Sequence, residues 1–452
     1  MKLFISNGMI VDPSAGISGL GDLVIEDGII REVVLRAEGR PAQDAAGNAA
    51  AEIRAEGSAS ENTDGKMSGS HSGNVGEVVH IDAGGKWVVP GLIDLHVHFR
   101  EPGFEYKEDI ASGCRSAAKG GFTTVCCMPN TDPPIDSAYM VLTADSRAEE
   151  ANEVQVLFVG AVTKGQEGKE LADYEAMMNI CTNSALLPGK GICGISEDGK
   201  TVRDADLMLA AMERAKTLGL TYFSHAEPEA EIVERDIALA EASGCRIHFC
   251  HISEKRSVEL IREAKKRGVN VTAETAPHYF TLTKEDVNND PNKKMNPPLR
   301  EEEDREAIRQ GLKDGTIDVI ATDHAPHSES EKSLPFAEAP NGVIGLETSF
   351  AVSYTELVGA GILSPLELIA TMSTRPAEIL GIDRGSLKVG KAADLAIIDV
   401  EKEYAIDPGT FASKGRNTPF KGRKVYGRPV YTIVGGRIVW QAEEEGQPGR
   451  QR

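Results

Sequence analysis

The sequence predicts a (β/α)8 TIM-like barrel joined to a composite β domain built from both ends of the chain. Three observations predict it: eight short apolar runs in the middle of the chain, helical stretches between most of them, and strand-like segments at the two ends. Eight β units alternating with α units over about 250 residues are typical of such a barrel. Periodicity alone also permits a doubly wound parallel sheet, so the polar residues at the strand ends must distinguish the two folds.

Strand-like segments occupy both ends of the chain. Near the N-terminus they alternate in polarity or are rich in β-branched residues, and Asp27-Gly28 supplies a turn signal. Near the C-terminus, Gly435-Gly436 has the length of a β-hairpin loop. We therefore predict one β-sandwich domain from residues 1–90 and 385–452. Its predicted strands are Leu3–Ile5, Leu23–Glu26, Ile29–Val34, Val78–Ile81, Trp87–Val89, Asp394–Asp399, Pro429–Val434 and Arg437–Trp440.

Residues 37–77 have a different composition from the rest of the chain. Of these 41 residues, 21 are Ala, Gly or Ser, and none is aromatic. Such a stretch buries too little apolar surface to offset the entropy lost on ordering. We predict a disordered insertion within the β domain.

The middle of the chain, residues 91–384, is predicted to form the barrel. The predicted strands are Leu92–Leu95, Thr123–Met128, Gln155–Val159, Ile192–Ile195, Thr221–Phe223, Ile247–Cys250, Val269–Ala273 and Asp318–Ala321. The predicted helices are Glu108–Lys119, Ser137–Asn152, Leu171–Thr182, Asp204–Leu218, Glu229–Ala242, Glu254–Arg267 and Glu301–Lys313.

Composition and charge exclude several classes of partner. The 452 residues carry a formal net charge of −21, which argues against nucleic acid or an anionic membrane as the main partner. The apolar runs are strand-length, far short of the roughly 20 residues of a membrane span. Seven cysteines in no regular framework fit a reducing compartment. We therefore expect a cytoplasmic protein with a small-molecule substrate.

Polar residues follow most of the predicted barrel strands. In a (β/α)8 barrel the chemistry lies at the C-terminal ends of the strands, so these side chains should meet at one mouth. Alternation along a strand also places the two imidazoles of His96-Val97-His98 on the same side, where they can chelate one ion. Four histidines and two aspartates form a typical metal-ligand set. The candidate ligands are His96, His98, Asp198, His225, His251 and Asp323, and Asn130 is a further polar residue after the second strand.

Four other histidines need a separate interpretation. His71 lies in the segment 37–77 and His80 in the β domain, and neither is expected to act in catalysis. His248 is expected to belong to the barrel wall. For His278, which follows the seventh strand, pocket lining and packing both stay open.

Five motifs in the barrel region closely resemble those of the longer bacterial type of dihydroorotase within the amidohydrolase superfamily. The resemblance covers essentially the whole chain except 37–77, and Gly385–Leu395 is similar to the superfamily's return into its β domain. The motifs are Asp94-Leu95-His96-Val97-His98-Phe99-Arg100-Glu101-Pro102-Gly103, Gly121-Phe122-Thr123-Thr124, Met128-Pro129-Asn130-Thr131, Asn296-Pro297-Pro298-Leu299-Arg300 and Ala321-Thr322-Asp323-His324-Ala325-Pro326-His327.

The resemblance implies the reversible cyclisation of N-carbamoyl-L-aspartate to L-dihydroorotate in de novo pyrimidine (UMP) synthesis. It implies two Zn²⁺ ions per subunit, one held by His96, His98 and Asp323 and the other by His225 and His251. Asp198 would bridge them where many relatives use a carboxylated lysine. The nucleophile would be a metal-bridged hydroxide, and Asp323 would also shuttle the proton.

The same resemblance implies the substrate contacts. Arg100 would grip a substrate carboxylate bidentately, and a solvated loop charge is the alternative interpretation. His98 would serve as a substrate contact as well as a ligand, and Asn341 stands where relatives usually have an aromatic residue. The implied substrate-binding residues are His98, Arg100, Asn130, Asn296, His327, Asn341 and Gly342.

Two other functions remain alternatives on the sequence alone. The first is another cyclic amidohydrolase, an allantoinase or hydantoinase, whose carboxylated lysine is usually near the fourth strand. Lys190 is the only lysine close to that strand, but it precedes the strand and should lie at the wrong end. The second is an inactive scaffold for aspartate transcarbamoylase, although no metal ligand is missing. We also expect a homo-oligomer and leave a transcarbamoylase partner open.

Overall fold

A computed structural model describes residues 1–36, 78–180, 182, 186, 187 and 190–443. Its strands are β1 (Lys2–Asp12), β2 (Ile17–Glu26), β3 (Ile29–Leu35), β4 (Val78–Asp82), β5 (Lys86–Pro90), β6 (Leu92–Val97), β7 (Phe122–Cys127), β8 (Gln155–Ala161), β9 (Gly194–Ser196), β10 (Thr221–Ser224), β11 (Arg246–Phe249), β12 (Val271–Thr275), β13 (Val319–Ile320), β14 (Leu395–Asp399), β15 (Tyr404–Ala405), β16 (Lys424–Val425), β17 (Arg428–Val434) and β18 (Arg437–Gln441).

The α-helices lie mostly between the barrel strands, and none of those described is long and apolar enough to cross a bilayer. They are Ile110–Lys119, Ala138–Ala151, Tyr174–Met178, Ala205–Leu218, Glu229–Ser243, Lys255–Lys266, Pro277–Thr281, Glu302–Asp314, Glu329–Lys332, Ser349–Ser353, Pro365–Ile369 and Arg375–Leu380.

Strands β6 to β13 form one parallel sheet in sequence order. The first and last of them are brought together by a bridge between Val97 and His324, where the His98 amide donates to the His324 carbonyl at 2.9 Å. Parallel strands covered by helices on the outside are the expected arrangement of a (β/α)8 barrel. The predicted barrel is therefore confirmed.

The strands from the two chain ends form a second, mixed sheet in the order β18-β17-β14-β5-β1-β2-β3, with β4 also paired to β1. Leu3 and Ile5 on β1, Leu23 on β2 and Ile397 on β14 belong to one buried cluster separate from the barrel core. The predicted β domain with strands from both termini is thus confirmed. The segment 37–77, with the disordered insertion predicted there and His71, lies outside the described residues.

Helix ends in the barrel follow from local chemistry. Asp109 caps the helix Ile110–Lys119 by accepting from the Ser112 amide, and Gly219 ends the helix Ala205–Leu218 with φ near +69°. The predicted helix Leu171–Thr182 is shorter than expected, because residues before Asp173 pair with the end of β8 instead. There the Ala172 amide donates to the Val162 carbonyl at 3.0 Å.

Candidate active site

The six predicted metal ligands meet at the C-terminal mouth of the barrel, and all six are buried. The C-terminal ends of the parallel strands all lie at this mouth. Side chains a few residues past each strand can therefore meet there. The ligands are His96 and His98 at the end of β6, Asp198 after β9, His225 after β10, His251 after β11 and Asp323 after β13.

Asp198 lies at the centre of this cluster. Its Oδ1 atom is 3.2 Å from His96 Nε2, 3.3 Å from His225 Nδ1 and 4.0 Å from His251 Nε2. Its Oδ2 atom is 3.5 Å from His98 Nε2. One carboxylate therefore reaches imidazoles from three different strands, which is the position a bridging ligand requires.

Asp323 closes the other side of the cluster. Its Oδ1 atom is 3.0 Å from His98 Nε2 and 3.6 Å from His96 Nε2. The ligand atoms of His96, His98 and Asp323 lie within 4.8 Å of one another, as do those of His96, Asp198 and His251. Two ligand groups thus share the His96 ring.

Electrostatics keep both carboxylates ionised. Burial alone would raise the pKa of Asp198, but His96, His225 and His98 hold it well below its usual range. The pKa of Asp323 is likewise depressed, because the neighbouring histidines outweigh burial. Ionised oxygens surrounded by imidazole nitrogens can bind a divalent cation at neutral pH.

The donor atoms fit a metal centre. His96 Nε2, Asp198 Oδ1 and His225 Nε2 are buried and lack a hydrogen bond of proper geometry. The ring nitrogens His225 Nδ1 and His251 Nε2 lie only 2.9 Å apart. Buried polar atoms without partners are costly, and imidazole and carboxylate groups are preferred ligands of Zn²⁺. These residues therefore fit the group that the sequence motifs imply.

Backbone strain accompanies the site. Arg100, His251 and Asp323 have positive φ angles of 62°, 36° and 48°. Residues without glycine's freedom adopt such angles only where the surrounding structure imposes them, and they cluster at functional sites. The strained backbone directs three predicted site residues into the mouth.

Buried carboxylates behind the ligands orient them, and Glu274 on β12 is the clearest case. Its Oε1 atom accepts from His96 Nδ1 at 2.7 Å and its Oε2 atom pairs with His248 Nε2 at 3.1 Å. The first bond fixes which His96 nitrogen faces Asp198. His248, expected in the barrel wall, is buried there and also bonds Thr272 at 2.8 Å.

Sequence reasoning missed Glu274, because the seventh strand was predicted to end at Ala273 and the strand in fact continues to Thr275. A charged residue next to a buried strand was the available signal. Glu227 was also missed. Its Oε2 atom lies 3.8 Å from His225 Nε2 and accepts a hydrogen bond from the Asn296 side-chain Nδ2 at 3.3 Å.

The predicted substrate residues lie around this cluster. Arg100 Nε donates to the Pro326 carbonyl at 3.3 Å, which holds the guanidinium beside the Asp323 segment. Asn130 is bonded to two ligands, since its Oδ1 accepts from His98 Nδ1 at 2.8 Å and its Nδ2 donates to Asp198 Oδ2 at 3.1 Å. In this structure Asn130 therefore helps to orient two of the candidate ligands.

The remaining predicted substrate residues fall on three separate segments. His327 is buried and its Nε2 donates to the Asn341 carbonyl at 2.7 Å, next to Gly342. Burial lowers the pKa of His327 to about 3, and Arg100 acts in the same direction, so the ring is neutral. Asn296 lies apart, bonded to Glu227. The Asn341 side chain is exposed, so its backbone makes the contact with His327.

Other residues named from the sequence have clear positions. Lys190 is exposed and precedes β9, at the opposite end of the strand from Asp198. His278 is buried against Tyr279, with ring centroids 4.2 Å apart, and its Nε2 has no hydrogen-bond partner. His80 packs edge-on against Phe4 in the mixed sheet.

Comparison with known proteins places this site in a family. A model of the amidohydrolase family matches residues 87–439. A dihydroorotase of Bacillus cytotoxicus is 46% identical, over 80% of this chain and 89% of the relative. Dihydroorotases of Geobacter sp. and Pelotomaculum thermopropionicum are 42% and 44% identical, each over 98% of this chain. The chain belongs to the amidohydrolase family, on its dihydroorotase branch.

Two solved structures with a similar fold are a hydantoinase and a dihydropyrimidinase. The L-hydantoinase of Arthrobacter aurescens superposes with a TM-score of 0.80 at 24% identity, covering 98% of this chain and 96% of that one. The dihydropyrimidinase of Brevibacillus agri gives a TM-score of 0.78 at 22% identity, covering 98% and 95%. At these identities the likeness concerns the fold. The resemblance stated from the motifs is confirmed by the closer sequence relatives.

Proposed function

We propose that the chain catalyses the reversible cyclisation of N-carbamoyl-L-aspartate to L-dihydroorotate, as a zinc-dependent amidohydrolase. The observation that carries the proposal is the meeting of Asp198, Asp323 and four imidazoles beside the Arg100 guanidinium. This choice of substrate is supported by the dihydroorotases that are 46% and 42% identical to this chain over most of their length.

Two ions would be held by the clustered ligands. His96, His98 and Asp323 would hold the first, His225 and His251 the second, and Asp198 would bridge them. When bound, the divalent cations lower the pKa of water into the neutral range and polarise the amide carbonyl of the substrate.

Asp323 moves the proton in this proposal. During ring opening its carboxylate accepts a proton from the attacking water and gives it to the ring nitrogen that leaves. During cyclisation it takes a proton from the ureido nitrogen and gives it to the departing oxygen of the reacting carboxylate, which takes its second proton from solvent and leaves as water. The low pKa of Asp323 means that it begins each hydrolysis as a base.

Arg100 orients the substrate. The carboxylate that does not react needs a bidentate partner, and the planar guanidinium supplies two parallel N–H donors. The Nε bond to the Pro326 carbonyl fixes the side chain on the loop that carries Asp323. Binding and proton transfer are thereby tied to one loop. His98, Asn130, Asn296, His327 and the Asn341-Gly342 segment are proposed as further substrate contacts.

The experiment is a metal assay combined with activity on four compounds: carbamoyl aspartate, dihydroorotate, a hydantoin and allantoin. Cyclisation consumes one proton, so each unit of acidification multiplies its equilibrium ratio tenfold, and the forward assay belongs at acidic pH and the reverse at alkaline pH. We expect turnover of carbamoyl aspartate and dihydroorotate with zinc bound. Preference for a hydantoin or allantoin would support the rival amidohydrolases, and bound metal without turnover of any substrate would support the scaffold.

Two further properties are proposed with this function. The six cysteines that the structure describes are free, which supports a reducing, cytoplasmic location. We also propose that the chain forms a homo-oligomer, with aspartate transcarbamoylase as a candidate partner. Light scattering measures the oligomeric state of the chain alone and, after the transcarbamoylase is added, the formation of a complex.

A further inference from the structure

Asn417 lies on the C-terminal part of the chain, between β15 and β16, yet its side chain reaches the barrel mouth. The residue is buried. Its Nδ2 donates to the carbonyls of Ala325 and Gly342, both at 3.0 Å. Its Oδ1 accepts from the His327 amide at 3.1 Å. One side-chain amide thus ties together the two segments that carry His327 and the Asn341-Gly342 pair.

These two segments also touch each other closely. The Ala325 amide donates to the Val343 carbonyl at 2.9 Å, and His327 Nε2 donates to the Asn341 carbonyl at 2.7 Å. Gly342 has a φ of +131°, and a Cβ there would lie 2.9 Å from both Ala325 Cβ and His327 Nε2. The spacing of the segments is therefore fixed within a few tenths of an ångström, and Asn417 spans it.

The backbone that presents Asn417 is anchored independently. We call residues 412–417 the mouth strap. The amides of Ala412 and Ser413 donate to Glu347 Oε1 at 2.8 and 3.0 Å, and the Lys414 amide donates to the buried Glu108 at 3.2 Å. Glu108 in turn pairs with His324, beside Asp323. The mouth strap therefore gives Asn417 a fixed position.

We propose that Asn417 is a positioning residue for substrate binding, which holds His327 and the Asn341-Gly342 segment at the spacing that the substrate needs. The inference rests on the proposed function. Removing the Nδ2 donors leaves two buried carbonyls unpaired, and the segments then separate. The side-chain bonds described for Asn417 go to the substrate side and to none of the six candidate ligands, so metal binding is independent of it.

The test compares Asn417→Asp with Asn152→Asp. The first exchange keeps the shape but replaces both donors by an oxygen facing two carbonyls. The second makes the same exchange at an exposed residue before β8, at the other end of the barrel. For Asn417→Asp we expect KM for carbamoyl aspartate to rise about tenfold or more, with kcat within about threefold, because a lost buried hydrogen bond corresponds to that range. Metal content should stay at the wild-type value in both variants. In Asn417→Asp the midpoint of thermal unfolding should fall, because a buried carboxylate oxygen then faces two carbonyls.

An equilibrium measurement accompanies the kinetics. The dissociation constant of orotate, the unsaturated counterpart of the cyclic product, should rise in Asn417→Asp and stay constant in Asn152→Asp. If Asn417→Asp does not give soluble protein, Asn417→Ser keeps one donor and should raise KM about threefold or more.

The outcomes separate the two proposals. Wild-type protein that binds metal but turns over no carbamoyl aspartate overturns the proposed function. Active wild-type protein with an unchanged KM in the Asn417 variants overturns only the positioning role, as does a fall in kcat and metal content at constant KM.

Discussion

The two sides of the candidate active site are built differently. On the metal side, the ligands lie within or directly after barrel strands, and buried groups such as Glu274 hold them from behind. On the substrate side, His327 and Gly342 lie on longer loops and are held by Asn417, from a distant part of the chain. The candidate ligands are therefore held mainly by the barrel, whereas the substrate side depends on how the C-terminal segment packs over the mouth.

Metal binding and substrate binding should therefore be separable by mutation. Mutation of a residue that supports a candidate ligand, such as Glu274, should alter metal affinity. Mutation of a residue on the loops that carry His327 and Gly342 should alter KM.

The largest effect is expected for Asp323→Asn, which belongs to both sides. The amide keeps the size of the side chain but cannot carry the proton, so kcat should fall by about 10²- to 10⁴-fold in both directions. Asp318→Asn is the matched control, since Asp318 pairs with Lys265 near the start of the same strand. Steady-state rates and metal content check both variants. More than a tenth of wild-type turnover in Asp323→Asn would rule out the shuttle.

An intermediate effect is expected for Glu274→Gln. The variant weakens the 2.7 Å bond to His96 Nδ1 and leaves His96 free to change tautomer, so zinc affinity should fall about 10- to 100-fold. Competition with a chelator of known affinity measures this, and the exposed Glu241→Gln serves as control. Unaltered zinc affinity would show that the barrel fixes His96 without Glu274.

The smallest effect is expected for Arg100→Lys. Lysine keeps the charge but not the two parallel donors, so KM should rise about tenfold while metal content stays constant. Arg147→Lys, at an exposed position, is the control. Loss of metal at constant KM would instead assign Arg100 to the support of the ligands.

The sequence predicted the barrel and the meeting of the six candidate ligands at its mouth, because both depend on local patterns. Apolar runs of strand length followed by His or Asp are visible in one dimension, and parallel strands bring their ends together. Asn417 shows what could not be predicted. Its role depends on three hydrogen bonds to residues at least 75 positions away. Nothing in the residues around Asn417 indicates those partners. The sequence around Asn341 likewise does not show that its side chain is exposed and that its backbone carbonyl makes the contact with His327.

We propose that Asp198 bridges two ions in this mouth without a carboxylated lysine. The most direct test is the metal content per chain of Asp198→Ala and Lys190→Ala, measured by mass spectrometry of the metals after exhaustive dialysis. Since Asp198 lies among the imidazoles and Lys190 is exposed before β9, we expect Asp198→Ala to lose at least one ion and Lys190→Ala to keep both. Full metal content in Asp198→Ala together with metal loss in Lys190→Ala would contradict the account.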